Sequence, residues 1–226
     1  MIALRDRRVP IIHGLSALES IRRRGLSLID AIREAVDNSV DWGARRIHIH
    51  LEKDDSGFMH VWIVDDALGI VEWIRIDSEN GIGIPVGSEE EADFEGLQHA
   101  MRMGGRILRP RRNPNGRFGH GMPQTAISLQ GVMRVYTRVA GGEWRHLSLS
   151  LDKLRDPASR DAQTGHLLQE QIEMVAPRDE DIPPGWEFGE SGTLVVLDSI
   201  PEQFHRVAYM GSFVKNLKEE LGRTYR

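Results

Sequence analysis

One helical segment near the N-terminus constrains this chain most, because residues 26–42 combine an apolar side with an acidic one. The apolar positions recur at helical spacing and are Leu28, Ile29, Ile32, Val36 and Val40. Another side carries Asp30, Glu34, Asp37, Asn38 and Asp41. Because like charges one turn apart destabilise a helix by about 0.2–0.5 kcal/mol per pair, this acidic row indicates either a solvated face or a bound cation.

The ligand chemistry of the acidic row limits which cation it could hold. Carboxylate and amide oxygens suit Mg²⁺, which usually keeps several waters and binds through one or two side chains together with substrate phosphates. By itself, the row favours the solvated face of an ordinary amphipathic helix over a metal site. The choice between the two therefore depends on the other motifs of the chain.

The composition indicates what kind of protein carries this helix. The chain has 226 residues, a formal net charge of −5 and 40% hydrophobic residues, enough for one sizeable core. The lack of cysteine excludes disulfides and thiolate metal sites and fits a reducing compartment. The sequence has neither a membrane-spanning apolar stretch nor a signal-peptide core. We therefore expect a soluble cytoplasmic protein that folds as a single domain, with no membrane association.

The order of the predicted elements indicates the fold class. The predicted strands are 47–51, 58–64, 133–139, 144–151 and 192–197. The helices predicted after 26–42 are 94–103, a helix that begins near 119–124 and ends at about 129, and 205–221. Residues 152–191 are predicted to be an insertion or an irregular excursion. Helices before and after mostly antiparallel strands predict an α+β fold, a two-layer α/β sandwich with helices on one face of a mixed, mostly antiparallel sheet.

Three further motifs follow the acidic helix. A predicted strand ends at Asp65, whose carboxylate could accept a hydrogen bond from an exocyclic amine such as that of adenine, and Gly69 would let a flat ring approach the backbone. The glycine-rich segment 116–122 has neither the lysine of a P-loop nor the third glycine of a dinucleotide fingerprint. A Gly-Thr pair at Gly192 and Thr193 opens the last strand. Each motif alone is most often a plain turn.

Taken in order, the four motifs resemble those of the GHKL ATPases, the group of gyrase B subunits, heat-shock chaperones, histidine kinases and MutL. The first motif is most similar to the MutL and gyrase B form, and the arginine-rich approach to the glycine loop is similar to the microrchidia type. The resemblance covers roughly residues 15–205. It implies the Bergerat ATP-binding fold in one domain over residues 1–226, and it leaves room for the chain to be the N-terminal part of a longer protein.

The resemblance also implies roles for individual residues. Glu34 matches the general base that activates the attacking water, and Asn38 matches the residue that holds Mg²⁺, with Asp37 and Asp41 beside them. For Asp41, a surface position is an equal alternative. The residues that match the adenine site are Asp65, Gly69 and Thr193. Those that match the phosphate loop are Gly116, Phe118, Gly119, His120, Gly121 and Met122.

Two features of the match leave questions open. Ala67 stands where the family has the first glycine of its Asp-x-Gly-x-Gly motif, which is tolerated if φ at that position is negative. Five arginines fall where the family has its ATP lid, and the sequence does not show which of them contacts phosphate: Arg106, Arg109, Arg111, Arg112 and Arg117.

The function implied by the resemblance is a Mg²⁺-dependent ATPase domain that is slow in isolation. ATP would drive a conformational or dimerisation switch, with a homodimer, a protein partner or a downstream domain as the responding element. One alternative is a phosphotransfer domain like that of histidine kinases, but no helical hairpin bearing a histidine precedes residue 26. Another is a nucleic-acid-binding module that uses the arginines of 102–117. The net negative charge and the presence of a single aromatic residue in the loop, Phe118 directly after Arg117, give this alternative little support.

Overall fold

The computed structural model describes residues 14–109, 121–161, 167–205, 207 and 209–225, apart from the side chains of residues 14–16 and 24. The helices are α1 (Gly14–Arg24), α2 (Leu28–Asp41), α3 (Gly96–Ala100), α4 (Gly121–Leu129), α5 (Leu151–Arg155), α6 (Glu202–His205) and α7 (Met210–Thr224). The strands are β1 (Ile47–Lys53), β2 (Met59–Asp65), β3 (Trp73–Ile76), β4 (Ile82–Val86), β5 (Phe94–Glu95), β6 (Arg106–Ile107), β7 (Val132–Arg138), β8 (Arg145–Ser150) and β9 (Gly192–Ile200). No helix among these residues has the length and apolar character needed to cross a membrane.

Five of the strands form the main sheet, in the order β1-β2-β9-β7-β8, with every neighbouring pair antiparallel. Its apolar side chains alternate along each strand, and one face packs with side chains of α1, α2, α4, α5 and α7 into a single core. The sheet contributes Val61, Ile63, Val135 and Val195 to that core, and α2 contributes Leu28 and Ile32. The predicted α+β sandwich, with helices on one face of the sheet, is confirmed.

The opposite face of the main sheet is covered by the segment that was predicted to be an irregular excursion. Trp186 and Phe188 pack over a second apolar cluster that contains Val64 and Leu194. The buried carboxylate of Asp181 accepts hydrogen bonds from Arg134 and from the hydroxyl of Tyr136 at 2.7 and 2.9 Å. The described part of this segment therefore protects the second face without adding a layer of long helices.

The register of the main sheet aligns three polar residues at one of its ends. Asp65 on β2 pairs with Thr193 on β9, and Thr193 pairs in turn with Thr137 on β7. This row lies at the end of β2 where the chain turns towards Gly69. Two motifs that are far apart in sequence are thereby brought side by side.

A second, smaller sheet was not predicted from the sequence. It has the order β5-β3-β4-β6, and only its β4–β6 pair is parallel. It includes the start of the segment predicted as a helix at 94–103, because Phe94 pairs with Ile74 in the ladder and α3 begins only at Gly96. That prediction was wrong at its N-terminal end, where the cross-strand pairing prevails over helix propensity. Helix α1 was also not predicted.

A buried histidine in α3 makes the stability of this fold depend on pH. His99 is 4% exposed, its Nε2 donates to the carbonyl of Arg106 at 3.0 Å, and burial lowers its pKa. The unfolded chain therefore binds the proton more readily, so this contribution to stability is complete above about pH 6.5 and is lost as the pH falls below it. We expect urea unfolding midpoints to drop between about pH 7 and pH 5, and to drop less in His99→Phe. Equal slopes for both proteins would contradict this assignment.

Candidate functional site

Helix α2 positions the acidic row through its cap and its buried side. Ser27 caps the helix, because its Oγ accepts a hydrogen bond from the Asp30 backbone at 3.1 Å. The Ser27 hydroxyl also donates to the Asp30 carboxylate at 2.6 Å, and Asp30 forms an ion pair with Arg33. Asp30 therefore stabilises the start of α2, whereas the rest of the row lies further along the helix.

Glu34 lies where α2 meets the first residue of α4. A Cβ placed on Gly121 would overlap the Glu34 Oε2 and would lie 3.1 Å from its Cδ, so glycine at this position allows the carboxyl group to lie directly against the start of α4. The side chain is half-buried, and burial raises its pKa, with a further increase from the negative charge of Asp37. A carboxylate with a raised pKa is suited to accept a proton near neutral pH.

One guanidinium connects the last two members of the row. Arg109 donates through Nη2 to Asn38 Oδ1 at 2.9 Å and through Nη1 to Asp41 Oδ2 at 2.5 Å. Asp41 is fully buried, so the surface position considered for it was wrong. Its place at the buried end of α2 brings it under Arg109, whose side chain is 14% exposed.

Asp37 contacts the C-terminal helix. The hydroxyl of Tyr225, the residue that caps α7, donates to Asp37 Oδ1 at 2.6 Å. Burial and the Asp37 carboxylate both raise the pKa of Tyr225, so this hydroxyl stays protonated and remains a donor. The end of α7 is therefore attached to α2 three residues from Glu34. The sequence contained no signal for this contact.

Asp65 is held in one orientation at the end of β2. Its Oδ2 accepts a hydrogen bond from Ser39 Oγ at 2.6 Å, and its Oδ1 accepts from the backbone N–H groups of Ala67 and Thr193, both at 3.0 Å. The side chain is 4% exposed, and burial raises its pKa. A carboxylate has about four acceptor positions, and these three donors leave capacity for one more.

Two hydroxyl residues that the sequence reasoning missed support the Asp65 end of the site. Ser39 is buried in α2 directly after Asn38 and links the helix to Asp65. Thr137 lies 3.1 Å from the Thr193 hydroxyl, Oγ1 to Oγ1, and accepts a hydrogen bond from the Ile70 backbone at 2.8 Å. The position of Ser39 next to Asn38 could have identified it, whereas Thr137 becomes apparent only from the strand register.

The turn after Asp65 accommodates alanine at one position and requires glycine at another. Ala67 is buried and has no positive φ, since the non-glycine residues with positive φ among those described are Gln130 and Ser199. Gly69 has φ +77°, and a Cβ there would overlap the carbonyl oxygen of Arg138 and lie 2.7 Å from its carbon. The departure at Ala67 therefore leaves the turn intact.

The structure brings together part of the predicted phosphate loop. Gly121 and Met122 are the first two residues of α4, and Met122 packs against the core while Gly121 faces Glu34. The predicted residues Gly116, Phe118, Gly119 and His120 lie outside the described residues, as do Arg111, Arg112 and Arg117. Arg106 donates to the Asn80 carbonyl at 2.9 Å and so belongs to the smaller sheet.

Comparison with known proteins identifies the family. The family model described as histidine kinase-, DNA gyrase B-, and HSP90-like ATPase matches residues 26–179, which is most of the chain. Among solved structures, the chain is similar to the topoisomerase IV ATP-binding domain of Francisella tularensis in complex with a small-molecule inhibitor. The two are 16% identical with a TM-score of 0.48, over 90% of this chain and 46% of that one, so this chain spans less than half of the other's length. No curated protein matches. On the strength of the family model, the chain belongs to the histidine kinase-, DNA gyrase B- and HSP90-like ATPase family, as an ATP-binding, ATPase-type domain.

Proposed function

We propose that this domain binds ATP together with Mg²⁺ and hydrolyses it slowly. The observation that carries the proposal is that α2 connects both ends of the site. Ser39 on this helix hydrogen-bonds Asp65 at 2.6 Å, and Glu34 on the same helix lies against Gly121 of α4. These two helix positions are roughly 7.5 Å apart along the axis. One rigid helix therefore sets the distance between Asp65, the carboxylate that would bind adenine, and Glu34, the candidate general base.

The adenine end of the proposal rests on Asp65 and Gly69. The Asp65 carboxylate is oriented by three donors and would accept a hydrogen bond from the exocyclic amine of adenine. Gly69, whose backbone packs closely against Arg138, would lie in the turn beside the ring, and Thr193 would support the site through its hydroxyl contact with Thr137. Because three donors hold this buried carboxylate in one orientation, it is better suited to bind an amine than to exchange hydrogen bonds with solvent.

The residues at the phosphate end fit Mg²⁺. Asn38 Oδ1 would hold the ion, and Asp37 and Asp41 are hard oxygen groups beside it. Asn38 Oδ1 already faces a cationic guanidinium, which indicates a position that accepts positive charge. Among the described residues, no group of three or more carboxylates or imidazoles is placed to hold a metal ion. This arrangement suits an ion that would arrive with phosphates and neutralise part of their charge.

Glu34 is the proposed general base. Its carboxylate would orient a water molecule for attack on the terminal phosphate and accept a proton from it. The raised pKa of Glu34 increases its basicity relative to an exposed glutamate, and the neighbouring Gly121 limits the positions that its carboxylate can take. The phosphate-loop roles of Gly116, Phe118, Gly119, His120, Gly121 and Met122 remain part of this proposal.

The proposal extends to a nucleotide-driven switch. ATP would change the conformation of the domain or bring two copies together, and a partner protein or a downstream domain of a longer chain would respond. The contact between Tyr225 and Asp37 supports this part, because it attaches α7 to α2 within one turn of Glu34. No contact among the described residues gives comparable support to phosphotransfer. Nucleic-acid binding lacks such support as well, since the two described lid arginines, Arg106 and Arg109, donate to groups of the protein itself.

Phosphate release from ATP tests the proposed function. We expect slow turnover that requires Mg²⁺ and that disappears when the ion is removed by a chelator. The experiment should use purified protein at several concentrations, because a switch based on dimerisation would raise the specific activity with concentration. Absence of turnover at every concentration, with intact folding, would contradict the catalytic part of the proposal.

Replacing Gly121 by alanine tests the placement of Glu34. The new Cβ would overlap Oε2, the far end of a flexible side chain, so we expect the fold to persist and the carboxylate to move. A misplaced catalytic group should lower turnover by about 10- to 100-fold, as measured by phosphate release. Gly211→Ala in α7 is the matched control, since nothing lies within 4 Å of its added Cβ. Equal activity of the two variants would count against Glu34 as the base.

A further inference from the structure

Arg109 occupies the acceptor that the proposed metal would need. Its guanidinium binds Asn38 Oδ1 through Nη2 while it binds Asp41 through Nη1. The two acceptors differ in what they require, because Asp41 is a fully buried carboxylate that needs a compensating positive charge, whereas Asn38 is a neutral amide. The contact with Asp41 is therefore an anchor, and the contact with Asn38 is the one that can be given up.

The planar shape of the guanidinium makes the two contacts simultaneous. Its N–H groups point in fixed directions from a rigid plane, so one group can bind two acceptors on adjacent turns of α2. Asn38 and Asp41 are three residues apart and lie on neighbouring turns of the same helix side. A divalent cation on Asn38 Oδ1 would be placed beside this guanidinium, and like charges at such a distance repel.

We propose that Arg109 is an internal competitor of Mg²⁺ for Asn38, and that metal-dependent nucleotide binding must first break the Arg109–Asn38 hydrogen bond. The inference rests on the proposed function and specifies how its site is regulated. Arg109 fills the metal position and thereby lowers the affinity for Mg·nucleotide. The salt bridge with Asp41 keeps Arg109 next to the site after release, so the contact can form again once the nucleotide leaves.

The quantity that tests this inference is the Mg²⁺ enhancement, the ratio of the Kd for ADP in EDTA to the Kd for ADP in Mg²⁺. Calorimetry on the whole chain gives both constants without turnover. In Arg109→Lys the ammonium still compensates Asp41 but lacks the fork that also reaches Asn38. We expect the enhancement to increase by about tenfold, the factor that corresponds to one lost hydrogen bond to a charged group.

A second variant and a control make the test independent of folding problems. Asp41→Asn combined with Arg109→Gln removes both charges, so no buried carboxylate is left without a partner, and it should also increase the enhancement. Arg106→Gln is the control, because Arg106 donates to the Asn80 carbonyl and lies in the smaller sheet. Circular dichroism should confirm that all variants are folded.

The outcomes separate the inference from the function on which it rests. A larger enhancement in both Arg109 variants, with no change in Arg106→Gln, supports competition. An unchanged enhancement overturns it. Weaker ADP binding both with and without Mg²⁺ also overturns it, because this result would mean that Arg109 contacts the phosphates. If the wild-type protein binds ADP in neither condition, the proposed function fails and the inference fails with it.

Discussion

Replacing Glu34 by glutamine is expected to lower the rate of ATP hydrolysis by about 10²- to 10⁴-fold, the usual contribution of a general base, with ATP affinity nearly unchanged. Glutamine keeps the size of the side chain and its hydrogen-bonding capacity but cannot accept the proton of the attacking water. Steady-state phosphate release and calorimetry measure the two quantities separately. The matched control is Asp30→Asn, which makes the same charge change one turn earlier on α2, where Asp30 serves the helix start. Comparable turnover in the wild type and Glu34→Gln would remove Glu34 from the mechanism.

The pH dependence of turnover gives the Glu34 assignment an independent check. Only the deprotonated carboxylate can act as the base, so the rate falls as the pH decreases through its pKa. Because burial raises that pKa, the acidic loss of activity should occur at a higher pH than the value of about 4.3 typical of an exposed glutamate. The residual turnover rate of Glu34→Gln should not show this loss of activity at acidic pH.

Gly69→Ala is expected to destabilise the fold and to abolish nucleotide binding. The substitution places a Cβ against the backbone of Arg138, and neither backbone segment can move aside without disturbing the end of the main sheet. Gly141→Ala is a closely matched control, since both glycines have φ +77° but nothing lies within 4 Å of a Cβ at Gly141. The control carries only the conformational cost of about 1–2 kcal/mol, so Gly69→Ala should lose at least about 2 kcal/mol more.

Urea unfolding of the two glycine variants measures this difference directly. A larger loss of unfolding free energy in Gly69→Ala, together with loss of ATP binding in that variant alone, would agree with a turn that is packed against Arg138 and faces the adenine. Similar losses in both variants would mean that the close approach at Gly69 is relieved by local adjustment, and the turn would then have no special packing role.

The elements with strong local patterns could be predicted from the sequence. The apolar spacing of residues 26–42 predicted α2 within two residues at each end, and alternating residues predicted the five strands of the main sheet. Those segments have periodicities that depend only on their own residues. The strands of the smaller sheet span two to five residues, too few for an alternation to stand out, and Phe94 belongs to a strand because of its distant partner Ile74.

The site could be predicted only in part, for a similar reason. Asp65, Gly69 and Thr193 lie in local motifs, and the strand register brings Asp65 and Thr193 together. Their role in binding adenine stays a prediction. The contacts of Arg109, Tyr225 and Thr137 join residues between 56 and 188 positions apart, so no local pattern contains them. The burial of Asp41 at the end of α2 could not be read from its place in an acidic row.

Calorimetric titration with ATP and with GTP, both in Mg²⁺, tests the central claim most directly. Adenine presents an amine donor where guanine presents a carbonyl acceptor, and the Asp65 carboxylate can accept a hydrogen bond only from the former. We predict that ATP binds in the micromolar to millimolar range and that GTP binds at least about tenfold more weakly, the ratio expected when a buried acceptor loses its donor. No heat of binding with ATP, or equal affinities for the two nucleotides, would contradict the account.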